Sequence, residues 1–288
     1  MPALFRRVAI LGTGLIGGSF ALALRKHLPD TMVIGWDKGD VLRQALERSA
    51  IHQGAGEFSS AVAGADLVYI ALPVGQAIEI LPEIARLAAP DALITDASST
   101  KRLICAVATD SFHKEGAQFL GGHPMAGKEI SGIAAADAEL MRGSKYALIG
   151  NPDGEKSERV VRFISLLEKM GVEPVWLSEE AHDRAAALVS HLPQLLAIAL
   201  AGVVREQTDG TGLPVTLAGR GLRDALRLAG SPYSVWRDII LTNSDNLDRS
   251  LDQMIQALEQ LRSNLRTRAL EEEFAAAGEL YRILRDLN

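Results

Sequence analysis

A short apolar segment runs directly into three glycines whose spacing restricts the fold strongly. Residues 8–11 (VAIL) have the composition of a buried strand, and Gly12, Gly14 and Gly17 follow in the pattern G-x-G-x-x-G at the start of a helical pattern. A strand, a tight glycine turn and a helix in this order open a parallel α/β sheet. The unpaired N–H groups at such a helix start face an anion. The segment therefore predicts a Rossmann-type domain that binds a dinucleotide pyrophosphate.

Other residues complete the predicted cofactor site. Leu15 and Ile16 belong to the glycine turn, and Asp37 follows the second predicted strand, where a carboxylate accepts hydrogen bonds from the adenosine ribose. Leu72 and Pro73 close a later strand and are expected along the nicotinamide side of the crevice. Because the charge of Asp37 would repel a 2'-phosphate, NAD is favoured over NADP, although the neighbouring lysine offsets part of that repulsion. The alternatives are a solvated loop acid at Asp37 and a plain strand terminator at Leu72-Pro73.

Strand and helix patterns alternate along the first part of the chain, which is typical of βαβ units. After Leu177 the strand pattern stops, and Ser178 with the acidic residues behind it predicts a capped helix start. We expect an α/β dinucleotide-binding domain over 1–177 and an all-α substrate-binding and dimerisation domain over 178–288. The predicted strands are 8–11, 32–35, 67–72, 92–95, 118–120, 146–149 and 173–176, and helical patterns include 15–26, 75–88 and 250–287.

Composition narrows the classes of partner. The 288 residues carry a net charge of -6, and no basic run with interleaved aromatic residues occurs, so a nucleic-acid partner is not expected. The lone cysteine, Cys105, excludes an internal disulfide and a cysteine zinc cluster, and we expect no metal site. No targeting peptide is recognisable at the start of the sequence. These features favour the cytoplasm.

One apolar stretch requires a decision about membranes. Residues 185–204 carry no formal charge and are almost long enough to cross a bilayer. Ser190, His191, Pro193 and Gln194 interrupt the stretch. Polar groups and a proline favour a buried helix, either in a helical core or at a subunit interface, over a membrane span.

The chemistry of the chain is indicated by residues 121–127 (GGHPMAG), which set one histidine between glycines and a proline. Glycine allows close approach of the backbone to a ligand, and proline fixes the local turn. His123 is therefore a candidate proton acceptor beside a predicted hydride carrier. The alternative is a turn that carries a surface histidine.

Three further segments occur in a fixed order around that histidine: residues 96–101 (DASSTK), 190–193 (SHLP) and 234–238 (SVWRD). Together with GGHPMAG, they resemble the prephenate/arogenate dehydrogenase family of tyrosine biosynthesis over nearly the whole chain. GGHPMAG and SHLP are the most specific parts of the resemblance. It implies an NAD-dependent oxidative decarboxylation: hydride leaves the hydroxyl-bearing ring carbon of a cyclohexadienol, and carbon dioxide departs as the ring becomes aromatic.

The resemblance implies catalytic roles for three residues. His123 accepts the proton or hydrogen bond of the ring hydroxyl, as a neutral imidazole does near pH 7. Ser99 binds the same hydroxyl and holds the nicotinamide in place. Asp183 orients His123 and favours its charged form in the transition state.

The resemblance also implies substrate contacts. Arg227, which precedes Ser231-Pro232, matches the family's carboxylate-binding arginine, and a guanidinium can grip a carboxylate with two parallel hydrogen bonds. Arg223 is a nearby competitor, and without the resemblance Arg227 would be taken as a solvated helix arginine. His191 is expected beside the substrate, or else as a hydrogen-bonded core histidine. Gln194 stands where some relatives carry histidine. Because glutamine cannot become cationic, the choice between the pyruvyl side chain of prephenate and the alanyl side chain of arogenate stays open.

The leading hypothesis is an NAD-dependent prephenate dehydrogenase that forms a homodimer through its C-terminal helices. An arogenate or dual-specificity enzyme is the first alternative. A dehydrogenase for 3-hydroxy acids is disfavoured, because such enzymes use a lysine of the helical domain and no lysine follows Leu177. A nucleotide-binding protein without turnover is the alternative from a different class.

Overall fold

The computed structural model describes residues 4–113, 116–128, 130–208 and 210–286. It divides into two compact units, the first ending at Ser244 and the second starting at Asp245. The expected boundary after residue 177 lies inside the first unit, which also holds the helices that directly follow the strands.

The first unit is built around a parallel sheet whose six described strands lie in the order β3-β2-β1-β4-β5-β6. A smaller sheet has the order β7-β8-β9, with β7 antiparallel and β9 parallel to β8. The strands are β1 (Arg7–Leu11), β2 (Met32–Trp36), β3 (Gln53–Gly54), β4 (Leu67–Ile70), β5 (Leu93–Asp96), β6 (Gln118–Leu120), β7 (Gly122–Pro124), β8 (Lys145–Ile149) and β9 (Glu173–Leu177).

The Rossmann-type prediction is confirmed, and each predicted strand matches an observed one to within two residues. Val8 and Ile10 of β1 belong to one buried cluster and Ala9 and Leu11 to the other, so the strand is covered on both faces. Such strands are continuously apolar, which is why the sequence pattern is clear. No pattern predicted β3 and β7, because two or three residues are too few to show a period.

Helices connect the strands and continue after them. They are α1 (Leu15–His27), α2 (Gly39–Glu47), α3 (Phe58–Val62), α4 (Val74–Leu87), α5 (Arg102–Ser111), α6 (Glu158–Lys169), α7 (Glu179–Ala186), α8 (Leu192–Glu206), α9 (Leu213–Thr216), α10 (Arg220–Leu226), α11 (Tyr233–Thr242), α12 (Ser244–Asn264) and α13 (Ala269–Asp286). The predicted cap of α7 is present, because the Ser178 hydroxyl accepts a hydrogen bond of 3.2 Å from the Ala181 N–H.

The apolar stretch over 185–204 lies in α7 and α8, which a π-helical turn at Ala187–His191 joins into one helix over Glu179–Glu206. By length and composition this helix qualifies as a membrane span, although the core helix of a soluble protein passes the same criterion. Leu188, Val189 and Val203 are exposed. Burial within the chain is therefore wrong for this face, and the subunit interface weighed beside it stays a prediction.

The second unit contains most of α12, followed by α13. The single helix expected over 250–287 is therefore wrong within the described residues, and residue 287 lies outside them. The Thr267 N–H donates to the Asn264 carbonyl, and the Ser263 and Thr267 hydroxyls donate to carbonyls three residues earlier. Side chains of this kind compete with helical hydrogen bonds and favour a break.

Candidate active site

The glycine turn fits against the chain at two positions and leaves open space at the third. A Cβ added to Gly12, whose φ is +89°, would lie 2.4 Å from the Ala71 carbonyl oxygen, and one added to Gly17 would lie 1.9 Å from the Gly12 carbonyl oxygen. Around Gly14, by contrast, no other heavy atom lies within 4 Å of an added Cβ. The open space is therefore at the start of α1, where unpaired N–H groups attract an anion.

A cavity of about 370 Å³ extends from this turn. Its walls are formed by the glycine turn, the end of β4, the loop after β5, residues 126–128 after β7, and one side of α11. Six of the residues predicted for cofactor or catalysis lie in the wall: Gly14, Leu15, Ile16, Leu72, Pro73 and Ser99. The structure thus brings together segments that are far apart in sequence.

Asp37 lies beside the glycine turn and is half-buried. Its Oδ2 accepts a hydrogen bond of 2.7 Å from the Thr13 N–H, and its Oδ1 accepts one of 2.7 Å from the Lys38 N–H. These bonds fix the carboxylate while leaving further lone pairs on both oxygens. The geometry differs from a freely solvated loop acid and suits a group that receives ribose hydroxyls.

The wall contributed by α11 is attached to the parallel-sheet layer by two side-chain contacts. Asp238 Oδ2 accepts a hydrogen bond of 3.0 Å from the Gly75 N–H in the first turn of α4, and Thr100 and Thr242 share a hydrogen bond of 2.8 Å. A carboxylate at a helix N-terminus is stabilised by otherwise unpaired N–H groups and by the helix dipole. These contacts hold Val235 of α11 in the cavity wall.

The segment that carries His123 is a strand and not the turn expected for GGHP. Gly122, His123 and Pro124 form β7, which pairs with β8. A Cβ on Gly121 would lie 2.9 Å from the Cys105 sulfur, and one on Gly122 would lie 2.7 Å from the Asp96 carbonyl oxygen. The two glycines therefore permit close packing of β7 against the chain itself, which fixes the position of His123.

His123 is the end of a chain of three ionisable side chains. Its Nδ1 lies 2.9 Å from His182 Nε2, and His182 Nδ1 lies 2.8 Å from Asp183 Oδ1. Asp183 therefore reaches His123 only through His182, which stands between them. No sequence motif marked His182, which precedes Asp183 in an ordinary helical segment, so only the structure identifies it.

The hydrogen-bond pattern determines which nitrogens carry protons. An ionised carboxylate only accepts hydrogen bonds, so His182 must carry its proton on Nδ1 and present a lone pair at Nε2. His123 then donates from Nδ1 to His182, which leaves the lone pair of His123 on Nε2. Asp183 thereby fixes His123 in the tautomer that a proton acceptor requires.

Asp183 is fully buried and is held as an anion. Its Oδ1 also accepts a hydrogen bond of 2.6 Å from the Lys101 N–H, and its Oδ2 accepts one of 3.0 Å from the Arg102 N–H. Burial alone would raise the pKa of Asp183, but hydrogen bonds from His182 and from these two backbone groups outweigh burial and lower it. The carboxylate is therefore ionised near neutral pH.

His123 is held neutral. Burial, followed by the charges of His182, Lys101 and His191, lowers the pKa of His123 well below its usual value of 6.5. Burial likewise lowers the pKa of His191 to about 4, although Asp183 opposes that shift. Both imidazoles are uncharged at pH 7, and His123 is available to accept a proton.

We expect the acid limb of kcat/KM to fall at a pH below 6.5. A base works only when deprotonated, so activity is retained above the pKa of free-enzyme His123 and is lost as the pH falls through that lowered value. Initial rates between pH 4 and 8 measure the limb, with circular dichroism confirming that the protein stays folded. A limb centred above 6.5 would contradict this assignment.

His191 and Gln194 are buried polar residues with unused hydrogen-bonding atoms. His191 Nδ1 lies 3.3 Å from Asn243 Nδ2, and its ring packs edge-on against Trp236. Within the described part of the chain, His191 Nε2 and both amide atoms of Gln194 have no hydrogen-bond partner. Gln194 lines a cavity of about 80 Å³ that shares Ser231 with the larger cavity. Buried groups of this kind are ready to receive a ligand.

Arg227 is not brought into the cavity in this structure. It lies in a short 3-10 turn, Arg227–Gly230, and is exposed, as is its competitor Arg223. Ser231 and Pro232, which follow this turn, do line the cavity. The carboxylate-binding role of Arg227 therefore stays a prediction. Among the described residues, no group of three or more histidine, cysteine or acidic side chains is arranged to hold a metal.

Two family models match most of the chain. The model described as "Prephenate dehydrogenase, nucleotide-binding domain" matches residues 20–175, and the model described as "Prephenate dehydrogenase, dimerization domain" matches residues 178–285. The two matches meet between residues 175 and 178.

Individual proteins with established names are also similar. The prephenate dehydrogenase of Bacillus subtilis is 35% identical over 89% of this chain and 69% of its own length. The cyclohexadienyl dehydrogenase of Zymomonas mobilis is 32% identical over 90% of this chain and 88% of its own length. A crystal structure of prephenate dehydrogenase from Aquifex aeolicus, in complex with hydroxyphenyl propionate and NAD+, has a TM-score of 0.86 at 27% identity, covering 98% of both chains.

Proposed function

Because the chain belongs to the prephenate dehydrogenase family, an oxidoreductase family, we propose that it catalyses the NAD-dependent oxidative decarboxylation of prephenate to 4-hydroxyphenylpyruvate in tyrosine biosynthesis. The observation that carries this proposal is the hydrogen-bonded chain Asp183–His182–His123, which ends in a neutral imidazole. The strand that holds His123 continues into residues 126–128 of the cavity wall.

The glycine turn and Asp37 support a dinucleotide cofactor. The open space at Gly14 lies where a pyrophosphate meets the start of α1, and the fixed carboxylate of Asp37 suits the hydroxyls of an adenosine ribose. The Ser98 hydroxyl is buried at the cavity without a hydrogen-bond partner in the described chain, as expected of a group that serves a ligand. When bound, NAD supplies the hydride acceptor. The charge of Asp37 favours NAD over NADP.

His123 and Ser99 act on the ring hydroxyl of the substrate. The Nε2 lone pair of His123 accepts the hydroxyl hydrogen bond, which stabilises the positive charge that develops at the ring carbon as hydride leaves. Ser99 in the cavity wall binds the same oxygen and contacts the nicotinamide side. The carboxylate departs as carbon dioxide and leaves its electron pair in the ring, which becomes aromatic. The hydroxyl oxygen either keeps its proton or recovers it from His123.

His182 and Asp183 stabilise the partial charge that His123 acquires. As positive charge grows on His123, its Nδ1–H bond to His182 strengthens, and His182 is polarised in turn by the buried anion Asp183. Charge-assisted hydrogen bonds in a buried site are stronger than neutral ones. The two residues thus favour the transition state without taking the proton themselves.

Arg227, His191 and Gln194 are assigned to the rest of the substrate. The resemblance supports Arg227 as the ligand of a carboxylate, and its turn precedes cavity residues Ser231 and Pro232. The buried, unpartnered atoms of His191 and Gln194 support contacts with the substrate side chain. Because Gln194 offers a donor and an acceptor without charge, it can receive either a keto or an amino side chain. Arogenate is therefore retained as the alternative substrate.

The C-terminal helices are assigned to a homodimer. The match over 178–285 is to a dimerization domain, and the helix Glu179–Glu206 exposes several large apolar side chains. An interface with a second copy would cover that face. Separately, the lone cysteine fits a cytoplasmic location. Sedimentation equilibrium tests this assignment, which a monomer at assay concentration would contradict.

Replacing Gly14 by alanine is expected to weaken NAD+ binding about tenfold or more with little change in melting temperature. The new Cβ meets no protein atom within 4 Å but occupies the space assigned to the pyrophosphate. Isothermal titration with NAD+ and a thermal melt measure the two effects. Gly17→Ala is the contrasting variant, because its Cβ would lie 1.9 Å from a backbone oxygen and should destabilise the fold. Unchanged NAD+ affinity in folded Gly14→Ala would place the cofactor elsewhere.

The proposed reaction is tested by following reduced nicotinamide absorbance in four mixtures, which pair prephenate or arogenate with NAD+ or NADP+. A rise in absorbance with prephenate and NAD+ is the expected result. A rise in absorbance only with arogenate would move the specificity to the alanyl side chain and make Gln194 the first residue to vary. Unchanged absorbance in every mixture, with NAD+ binding intact, would favour the nucleotide-binding protein without turnover.

A further inference from the structure

Lys101 is a fully buried lysine that the proposed reaction does not use. Its ammonium makes an ion pair with Asp96 Oδ2 and donates a hydrogen bond of 2.6 Å to the Gly122 carbonyl oxygen. Gly122 directly precedes His123 in β7. The lysine head group therefore holds the backbone of the strand that carries the proposed proton acceptor.

The backbone N–H of Lys101 contacts Asp183, which lies at the opposite end of the hydrogen-bonded chain from His123. The Lys101 N–H donates a hydrogen bond of 2.6 Å to Asp183 Oδ1, the oxygen that also receives His182 Nδ1 at 2.8 Å. One residue thus contacts both the support of His123 and the carboxylate that sets its tautomer. The distance between the two ends is fixed through a single side chain.

Asp96 extends this support to the loop after β5 that carries Ser98 and Ser99, the serine loop. Its Oδ1 accepts a hydrogen bond of 3.0 Å from the Gly122 N–H, and its Oδ2 accepts one of 3.0 Å from the Ser98 N–H. Ser99, the proposed hydroxyl ligand, follows immediately. The buried pair therefore ties together the end of β5, the serine loop and β7.

A buried ion pair is poor evidence for a purely stabilising role. Desolvation of two charges consumes most of their attraction, and well-packed apolar residues often serve stability equally well. Lys101 and Asp96 instead form hydrogen bonds with backbone groups beside the proposed catalytic residues. That distribution points to alignment of the site.

We propose that Lys101, paired with Asp96, is a positioning residue that aligns His123, Ser99 and the His182–Asp183 pair for hydride transfer. This role rests on the proposed function for its consequence in turnover, while the alignment itself is a property of the protein without substrate. Lys101 acts through Gly122 and Asp183 and does not contact the reacting atoms.

The charge of Lys101 has a second effect on His123. Burial is the largest cause of the lowered pKa of His123, and the positive charge of Lys101 lowers that pKa further. Removing the ammonium should therefore allow His123 to protonate at a higher pH. This effect is separate from alignment and provides a signature that loss of stability alone would not produce.

The test compares three variants. Lys101→Met/Asp96→Asn removes both charges and avoids stranding a buried carboxylate, and Lys101→Gln removes the ammonium but keeps a polar side chain. Lys145→Met is the matched control, because Lys145 is an exposed, ion-paired lysine on β8 of the small sheet that contains His123. Circular dichroism and thermal melts establish which variants are folded.

The readouts are kcat, the NAD+ dissociation constant and an imidazole 15N NMR titration of His123. Positioning predicts that the folded double variant and Lys101→Gln each lose at least tenfold in kcat and keep NAD+ affinity within about twofold. Lys101→Gln, which removes the ammonium alone, should also shift the His123 titration upward. Lys145→Met should match the wild type. A folded variant with wild-type kcat and titration would overturn the proposal, as would failure of both Lys101 variants to fold, which would make Lys101 a stability residue.

These readouts separate the two proposals. If wild-type protein forms no reduced nicotinamide with prephenate or arogenate, the proposed function fails, while the NMR titration still reports on alignment and charge. If the wild type turns over and the folded Lys101 variants keep the wild-type kcat, the positioning role fails.

Discussion

Replacing His123 by asparagine is expected to lower kcat by about 10²–10⁴-fold while leaving NAD+ affinity nearly unchanged. Asparagine keeps a polar side chain of smaller size but lacks a basic lone pair, so no base accepts the proton of the substrate hydroxyl. His123 is not in the wall that contains the glycine turn, which is why cofactor binding should persist. Steady-state rates and isothermal titration with NAD+ measure the two quantities.

His113→Asn is the matched control for this variant. His113 is an exposed histidine at the end of α5, away from the hydrogen-bonded chain, and its replacement should leave kcat unchanged. Retention of wild-type turnover in folded His123→Asn would remove His123 as the proton acceptor. Loss of NAD+ binding in the same variant would instead show that the histidine supports the cofactor.

Replacing Asp183 by asparagine is expected to lower kcat by about 10²–10⁴-fold through a change of tautomer. The carboxylate accepts three backbone or ring N–H groups, but an amide has one oxygen and must point its NH₂ group at one side. Of the two amide orientations, the one that places the NH₂ group at the Oδ1 position faces His182 Nδ1 and forces the proton of His182 to Nε2, while the other keeps that proton but removes the buried negative charge. In the first orientation, His123 accepts at Nδ1 and carries its proton on Nε2, where the substrate hydroxyl should bind.

Imidazole 15N shifts of His182 measure this exchange directly. Asp66→Asn is the matched control, because Asp66 also accepts two backbone hydrogen bonds, from Arg6 and Arg7 at 2.7 and 3.1 Å, at the opposite end of β1. The control should keep wild-type kcat and histidine shifts. Full activity of folded Asp183→Asn would refute the assignment of Asp183.

The parallel-sheet layer could be predicted from the sequence because its physical causes are local. Strands covered on both faces are continuously apolar, and the glycine turn meets its steric needs within a few residues, as Gly12 and Gly17 show. The same holds for Ser178, whose cap depends on a residue three positions away. Boundaries shifted by a residue or two because helix and strand ends depend on tertiary contacts.

The catalytic chain could be predicted only in part. GGHPMAG marked His123, but its glycines serve contacts with Cys105 and Asp96 that no local pattern reveals. His182 and Lys101 became recognisable only when the fold brought residues some twenty to eighty positions apart into hydrogen-bond distance. A histidine on a helix and a lysine at a helix start have no distinctive local signal.

The helical part shows the limit of periodicity. The pattern over 250–287 fits a single helix, yet Ser263, Asn264 and Thr267 form local hydrogen bonds that end one helix before the next begins. Apolar spacing reports which face is buried and not where the backbone breaks. We attribute the exposed apolar face of Glu179–Glu206 to the homodimer that we propose.

The most direct test of the account uses prephenate labelled with deuterium on the ring carbon that bears the hydroxyl, incubated with the protein and NAD+. The account predicts one reduced nicotinamide carrying deuterium, one carbon dioxide and one 4-hydroxyphenylpyruvate per turnover, detected by mass spectrometry. Deuterium that stays on the ring or appears in water, or carbon dioxide released without reduced nicotinamide, would contradict hydride transfer as the reaction of this protein.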